Sequence, residues 1–536
     1  MADAREACRR AVAPPTRAVV STAESDDGAP VVIVGEAEWL ERGRALILGS
    51  DLDGALAVFA DAYAAHPASP DIALAFAGVL WQAKQPERAE SVLRALLAAH
   101  PAHVAAAFLL AKIQKDAARM NAAAATVRAL FAAAPQPVGT TIQAVELLDD
   151  AGRKRDAADL CEAAIAHGST DPRLYAYSGM LHLQLGDFAR VRERYAHAIA
   201  HSAQAYDWQA ANGLAAAQRY ADATHPDFAM FRHALARSDL ADRGRASVLF
   251  ALGKAHDDIG DYERAAGYFR DGNAVVRGFA EWSRKNFRRM VAAKLDAKPP
   301  AERVAASPDA VPVFIVGMPR SGTTLVADLL SRHPDVRYRG ELGWMPFLAQ
   351  QLGASAKPGA AMLEKAAATY FAQLRQDDLP ARFYIDKQPL NFLHIDLIAT
   401  LFPNARIVHC ERSERDTALS IWMQYFAGPE NNFAYDFDDI AAVMQASAKL
   451  IASAKRKGTA GIRTIRYEAL VADSASTMRE LAAWIGLAEY DIAAPRSDAT
   501  ISTSSLWQVR QPVYARSIGR WRAYAPYVPE LNAFAG

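Results

Sequence analysis

Cysteine is scarce in this chain: Cys8, Cys161 and Cys410 are scattered through 536 residues. Three such residues are too few and too dispersed for a disulfide framework or a cysteine-based zinc site, and they suit a reducing compartment. An excess of charge is missing too, since Lys+Arg and Asp+Glu both number 60. A generic nucleic-acid binder needs surplus basic charge, so nucleic acid is not an expected partner. No apolar run approaches the roughly 18–20 residues that span a bilayer. The N-terminal MADAREACRRAVAPPTR has no apolar stretch after its charges, so neither a transmembrane segment nor a secretory signal is expected. A cytoplasmic location follows as the default. What is present is a 51% hydrophobic, 22% charged composition. That is enough for packed cores, in a chain long enough for two or three domains.

Internal periodicity organises the first half. Pro67, Pro101 and Pro135 lie 34 residues apart, each closing an alanine-rich helical stretch. The same step links Ala55, Ala89, Ala123, Ala157 and Val191, and, four residues on, Phe59, Leu93, Val127, Cys161 and Tyr195. A small residue followed at i+4 by a bulky one suits stacked helix pairs. The small side chain lets two helices approach, and the bulky one fills the groove beside it. Proline ends the second helix because it cannot continue the hydrogen-bond ladder. The pattern resembles the tetratricopeptide repeat, whose period is 34. Gly186-Asp187-Phe188 through Tyr195 and Gly260-Asp261-Tyr262 through Phe269 look like its turn and second helix. Val191 to Ala265 spans 74 residues, two units of 37, which predicts one lengthened repeat. A generic helical bundle has no reason to keep one period over five units. Such arrays form a continuous core and present a concave face to peptide or protein partners.

Four segments follow from composition. Residues 1–40, with Ala13-Pro14-Pro15 and a Ser/Asp/Gly stretch, read as a flexible lead-in, although Val31–Val34 is locally strand-like. Residues 41–275 read as an all-α repeat solenoid, and 276–310 as a linker. The linker holds a basic amphipathic helix over Phe279–Leu295 and a boundary at Lys298-Pro299-Pro300. Residues 311–536 form the second domain.

That domain opens with Val311–Val316, an apolar β-branched run that predicts a buried parallel strand. Gly317-Met-Pro-Arg-Ser-Gly322-Thr-Thr follows, and Leu325–Ser331 reads as a helix. A strand, a glycine-flanked turn and a helix aim backbone N–H groups and the helix's positive end at one spot, a ready anion site. The glycines have the spacing of a Walker loop, but Thr323 stands where that loop carries its lysine. A nucleoside triphosphatase uses that lysine beside Mg²⁺. Here the cation is Arg320, inside the turn, and its fork suits an oxygen-rich group of lower charge.

The string VFIVGMPRSGTT resembles the 5′-phosphosulfate loop of the sulfotransferase superfamily. The resemblance covers roughly Val311 to Tyr524. It implies an α/β P-loop-like sulfotransferase domain with a central parallel sheet. It also implies 3′-phosphoadenosine-5′-phosphosulfate (PAPS) as co-substrate, no metal, and donor contacts from Arg320, Ser321, Gly322, Thr323 and Thr324. A strand-end arginine with a serine eight residues on forms the family's 3′-phosphate site, and Arg412 with Ser420 reproduces it. Trp507–Tyr514 and Ser517-Ile-Gly-Arg520-Trp521 are similar to the segment with which tyrosylprotein sulfotransferases and their bacterial relatives close over the nucleotide. The resemblance then implies donor contacts from Ser505, Gln508 and Val509 and a 3′-phosphate contact from Arg520. Tyr467 matches a strand-end tyrosine stacked near adenine; its bland reading is core.

Sulfuryl transfer needs a base for the acceptor proton and a cation for the leaving oxygen. In the tyrosylprotein-type enzymes a glutamate at the offset of Glu341, 21 residues past Arg320, is the general base. His333 is the rival, because histidine needs less tuning. The histidine-based branch carries Lys-x-His where this chain has Asp386-Lys387-Gln-Pro-Leu-Asn391, which favours Glu341. Lys387 matches the lysine that meets charge at the bridging oxygen, a role Arg320 and Ser505 share. Its strand-end place is where α/β sheets carry ligands. Trp344, Phe347, Trp422, Tyr425 and Phe426 carry two readings, an acceptor cleft or, more commonly at helical spacing, core.

The expected function is PAPS-dependent sulfation of a hydroxyl on a polypeptide, glycan or small metabolite, with protein tyrosine slightly favoured. Two alternatives stand beside it. One is a P-loop kinase or nucleotide hydrolase, distinguished by magnesium dependence. The other is a repeat-based interaction protein with an inactive second domain.

Overall fold

The computed structural model describes residues 35–297, 303–307, 309–353, 358–458, 460–494 and 517–535, with the backbone of a two-residue antiparallel pairing, Ala23–Glu24 against Pro30–Val31. Two compact units are present, spanning 1–157 and 158–536.

The first unit is a run of antiparallel helix pairs. Glu36–Leu48 packs on Leu52–Ala65, Pro70–Gln82 on Pro86–Ala99, and Val104–Asp116 on Met120–Ala133. Pro67, Pro101 and Pro135 each stand two residues beyond a second helix. Each turn between paired helices places one residue at positive φ: Ser50, Lys84, Ala118, Gly152, Gly186 and, after the lengthened stretch, Gly260. That reversal lets Asp51, Asp187 and Asp261 cap the next helix, each accepting the N–H three residues on.

A second regularity concerns size. The rings of Phe59, Tyr195 and Phe269 press on Gly43, Gly179 and Gly253, each sixteen positions earlier on the partner helix. A Cβ on Gly179 or Gly253 would sit 2.8 or 2.7 Å from the ring. Where the bulky position shrinks to Leu93, the same offset carries Ala77, and both are fully buried. Side-chain volume on one helix is thus matched by its absence on the next, as close packing requires.

In the second unit the pairs continue with Pro172–Leu185 on Phe188–His201. The expected lengthening falls between 202 and 241. A 3-10 turn at Ala203–Tyr206 and a long connection separate two short helices, Ala210–Ala216 and Pro226–Leu235. The last pair is α1, Asp242–Asp258, and α2, Tyr262–Phe279. The basic helix Arg284–Asp296 follows.

Five parallel strands then form one sheet: β1 Val311–Gly317, β2 Val336–Tyr338, β3 Phe383–Asp386, β4 Arg406–Glu411 and β5 Gly461–Arg466, in the order β2-β3-β1-β4-β5. In β1, Val313 and Ile315 face a core with Ile385, Val408 and Leu481. Phe314 and Val316 face another with Tyr384, Ile407 and Phe402. Helices therefore cover both faces, which is why the central strand reads as an unbroken apolar run. A helical repeat region followed by an α/β domain with a central five-stranded parallel sheet is the architecture that the sequence led us to expect.

The core that holds Phe314 also holds Phe250 of α1 and Phe269 of α2. Phe250 stacks on Tyr425 at 5.3 Å between centroids, and Phe269 lies 6.0 Å from Trp422. Trp422 and Tyr425 are therefore core residues, whereas Phe347 is exposed. We expect Phe269→Ala to destabilise the second unit by about 3–5 kcal/mol in urea unfolding, because it opens a cavity between repeat and sheet. Among the described residues, no helix is long and apolar enough to cross a membrane.

Candidate active site

The sheet is parallel, so every strand delivers its last residue to one edge, and the chemistry-bearing residues gather there. β1 ends at Gly317, whose φ is 147°. A Cβ there would lie 2.5 Å from the Cys410 carbonyl of β4. The turn then passes through Arg320, a non-glycine residue at φ 70°, and Gly322 at 99°. A Cβ on Gly322 would come within 2.7 Å of the Tyr467 ring. The Ser321 hydroxyl donates to the Met318 carbonyl at 2.7 Å, bracing the turn from inside. Thr323 and Thr324, both buried, open helix α3, Thr323–Leu330, so the turn's N–H groups and the helix start share one cradle.

Positive side chains converge on that cradle. Arg320 Nε donates to Ser420 Oγ at 3.1 Å, across from helix α4, Glu414–Trp422. Arg412, just past β4, donates one terminal nitrogen to the Arg320 carbonyl at 3.1 Å and the other to the Ser517 carbonyl at 2.6 Å. Its guanidinium lies 4.9 Å over the Tyr467 ring. It makes no ion pair among the described residues, and its Nε is buried without a partner, as is Thr417 Oγ1. Burial pulls the Arg412 pKa below the ordinary arginine value. A guanidinium fixed by carbonyls and a ring, with Asp416 and Glu468 near but no carboxylate in ion-pair contact among the described residues, is chemically suited to receive an anion. Arg320, Ser420, Arg412 and Tyr467 are thus brought together as neighbours of one turn.

A second cluster sits beyond β2 and β3. Lys387 is fully buried, and its ammonium donates to the Glu341 carboxylate, which is about one-third exposed. The backbone fixes the pair. The Arg339 N–H donates to the Ile385 carbonyl and the Lys387 N–H to the Gly340 carbonyl, both at 2.9 Å. The Arg339 side chain is committed elsewhere, to Asp378 and to the carbonyls of Leu374 and Arg375. Beneath the pair, Asp386 accepts from the Tyr370 hydroxyl, from Asn391 Nδ2 at 2.8 Å and from the Leu342 N–H at 3.2 Å. Burial pushes the Asp386 carboxyl up to about 7.

Topology separates the two candidate bases. Helix α3 carries the chain back across the sheet, so His333, between α3 and β2, lies at the amino edge. Its Nδ1 accepts the Asp335 N–H at 3.0 Å, and its ring packs edge-on against Tyr490. Glu341, past the far end of β2, lies at the carboxyl edge with Lys387. Arg520 is described in an ion pair with Asp257 of α1. Ser505, Gln508 and Val509 lie outside the described residues.

Sequence reasoning did not single out Tyr370, Asn391, Asp416 or Asp257. Asp386 had a signal, its place next to Lys387 at a strand end. Asn391 and Asp416 lie within the strings around Lys387 and Ser420 but were given no role, and Tyr370 and Asp257 sit on helices with no motif around them.

Residues 312–491 match the sulfotransferase family, and residues 46–101 and 80–145 match tetratricopeptide repeats. The chain carries a sulfotransferase-family domain behind such repeats. An uncharacterized protein of Aquifex aeolicus is 29% identical over 314 residues, 53% of this chain and 40% of its own length. Protein-tyrosine sulfotransferase 2 of Gallus gallus is 23% identical over 238 residues, 40% of this chain and 64% of its own length. The chain thus spans less than two thirds of either relative. Among solved structures, the sulfotransferase domain of the Synechococcus PCC 7002 olefin synthase aligns with 44% of this chain and 97% of its own, at 18% identity and a TM-score of 0.31.

Proposed function

We propose that the protein is a PAPS-dependent sulfotransferase acting on an acceptor hydroxyl, with Glu341 as general base and Lys387 and Arg320 as the cations of the transfer. The observation that carries the reading is the pairing of Lys387 with Glu341 at the same sheet edge as the Gly317–Gly322 cradle. When bound, PAPS supplies an activated sulfuryl group on a phosphate leaving group. The cradle suits such a ligand, because the Nε of Arg412, whose guanidinium is bonded to the turn's Arg320 carbonyl, is buried with no partner among the described residues.

In the reaction, the Glu341 carboxylate takes the acceptor hydroxyl proton as the oxygen–sulfur bond forms. Lys387 and Arg320 meet the negative charge growing on the leaving oxygen as the old sulfur–oxygen bond breaks. Arg412 and Ser420 hold the 3′-phosphate, and Arg320, Ser321, Thr323 and Thr324 orient the 5′ end. His333 is set aside as base, because its Nδ1 is occupied and it lies at the opposite edge. Protein tyrosine is the favoured acceptor. Similarity to a protein-tyrosine sulfotransferase supports it, and so do repeats of a kind that bind polypeptides. A cytoplasmic location accords with the unpaired buried thiols of Cys161 and Cys410.

The test is transfer of ³⁵S from labelled donor to peptide, glycan and metabolite pools by the purified chain. We expect a labelled product, formed equally well with a chelator present. Donor binding without transfer to any pool, or activity abolished by the chelator, would sink the reading.

A further inference from the structure

The segment 517–524 is fastened from two sides. From the sheet domain, Arg412 holds the Ser517 carbonyl, and the Asp416 carboxylate accepts the Gly519 N–H at 2.7 Å and the Trp521 N–H at 3.0 Å. From the last repeat, Asp257 of α1 accepts the Tyr524 hydroxyl at 2.5 Å and pairs with the Arg520 guanidinium. Tyr262 of α2 packs on Tyr524 at 5.2 Å, and Arg270 reaches Glu530 at 2.6 Å. Burial would depress the Arg520 pKa, and Asp257 more than offsets it, so the guanidinium is held above its usual value.

The bonds from Arg412 to the Ser517 carbonyl and from the Gly519 and Trp521 N–H groups to Asp416 hold the Arg520 turn against Arg412, near enough for Arg520 to disfavour the Arg412 charge slightly. Two half-buried like charges are held together more easily where something compensates one of them. A carboxylate behind the outer one does so, and it also fixes where the fork points.

We propose that Asp257 is a positioning residue of the donor site: it presents Arg520 beside Arg412, so that the last helical repeat forms one wall of the 3′-phosphate pocket. This rests on the PAPS reading above. The repeat then takes part in donor recognition as well as in any binding of partners. Asp257 acts through Arg520 and does not touch the ligand.

The test is calorimetry of the full chain with adenosine 3′,5′-bisphosphate and with adenosine 5′-phosphate, whose affinity ratio isolates the 3′-phosphate. In Asp257→Asn we expect that ratio to fall about tenfold, the worth of one charge-assisted bond, with adenosine 5′-phosphate binding unchanged. Asp257→Glu should recover part of the loss. Arg520→Met should lose at least as much, and adding Asp257→Asn to it should change nothing further. A wild-type ratio in Asp257→Asn overturns the proposal, as does equal weakening of both nucleotides or additivity with Arg520→Met. If Asp257→Asn does not fold, the Asp257→Glu and Arg520→Met ratios decide by the same criteria. A wild-type chain with no preference for the 3′-phosphate removes the PAPS reading itself, and this proposal with it.

Discussion

Lys387→Met is expected to lower kcat by about 100- to 1,000-fold, the usual cost of deleting one preorganised charge donor at a leaving oxygen, while the donor KM moves by less than about threefold. The ammonium contributes in the transition state, where charge develops, and little to holding the ground-state nucleotide. Lys387 is also fully buried against Glu341, so its loss leaves a carboxylate without its partner. Removing one member of a buried pair costs about 3–5 kcal/mol when the other cannot reach water. Glu341 is one-third exposed and can turn outward, so the fold should lose less. Steady-state kinetics beside a thermal melt separates the two effects. Glu341→Gln should lose kcat on a similar scale and lower the melting temperature more than Lys387→Met does, because it leaves the fully buried Lys387 ammonium without its carboxylate. A Lys387→Met enzyme with near-normal kcat would remove the lysine from the chemistry.

The second large effect is on binding. Arg412→Ala should weaken adenosine 3′,5′-bisphosphate by about 100-fold, since truncating one member of a buried, hydrogen-bonded charge pair costs some 2–5 kcal/mol. Arg412→Lys should fall between, because an ammonium keeps the charge and loses the fork that reaches the Arg320 and Ser517 carbonyls together. Adenosine 5′-phosphate, lacking the 3′ group, should be affected far less by either change. Equal losses for the two nucleotides would mean that Arg412 only braces the turn.

How much of this the sequence disclosed depended on whether a residue's role left a mark on its neighbours. The 34-residue step was visible because small and bulky residues recur at fixed places. The positive-φ position of each inter-helix turn was hidden in the early repeats, because Ser50, Lys84 and Ala118 occupy it where glycine would have announced it. The pairing of large rings with glycines sixteen residues earlier becomes legible only once the helices are known to be antiparallel neighbours.

At the site, the cradle was legible because Gly317 and Gly322 meet a carbonyl and a ring that tolerate no Cβ. Glu341 and Lys387 carried offsets from recognisable strings, and the topology of one eight-residue helix placed Glu341 and His333 at opposite edges. The carboxylate network under Lys387 was not legible, because Tyr370 and Asn391 reach Asp386 from separate elements. Nor was the bond from Asp257 to Arg520, 263 positions apart, since no local pattern records a contact between a repeat helix and the chain's last turns.

The central claim is that the Gly317–Gly322 turn grips a sulfated adenosine nucleotide without magnesium. Titrating the wild-type chain calorimetrically with adenosine 3′,5′-bisphosphate in a chelator, and separately with ATP and Mg²⁺, tests it most directly. The account predicts clear binding of the bisphosphate in the chelator and much weaker binding of ATP with or without the metal. Silence from the bisphosphate alongside tight, magnesium-dependent ATP binding would contradict it.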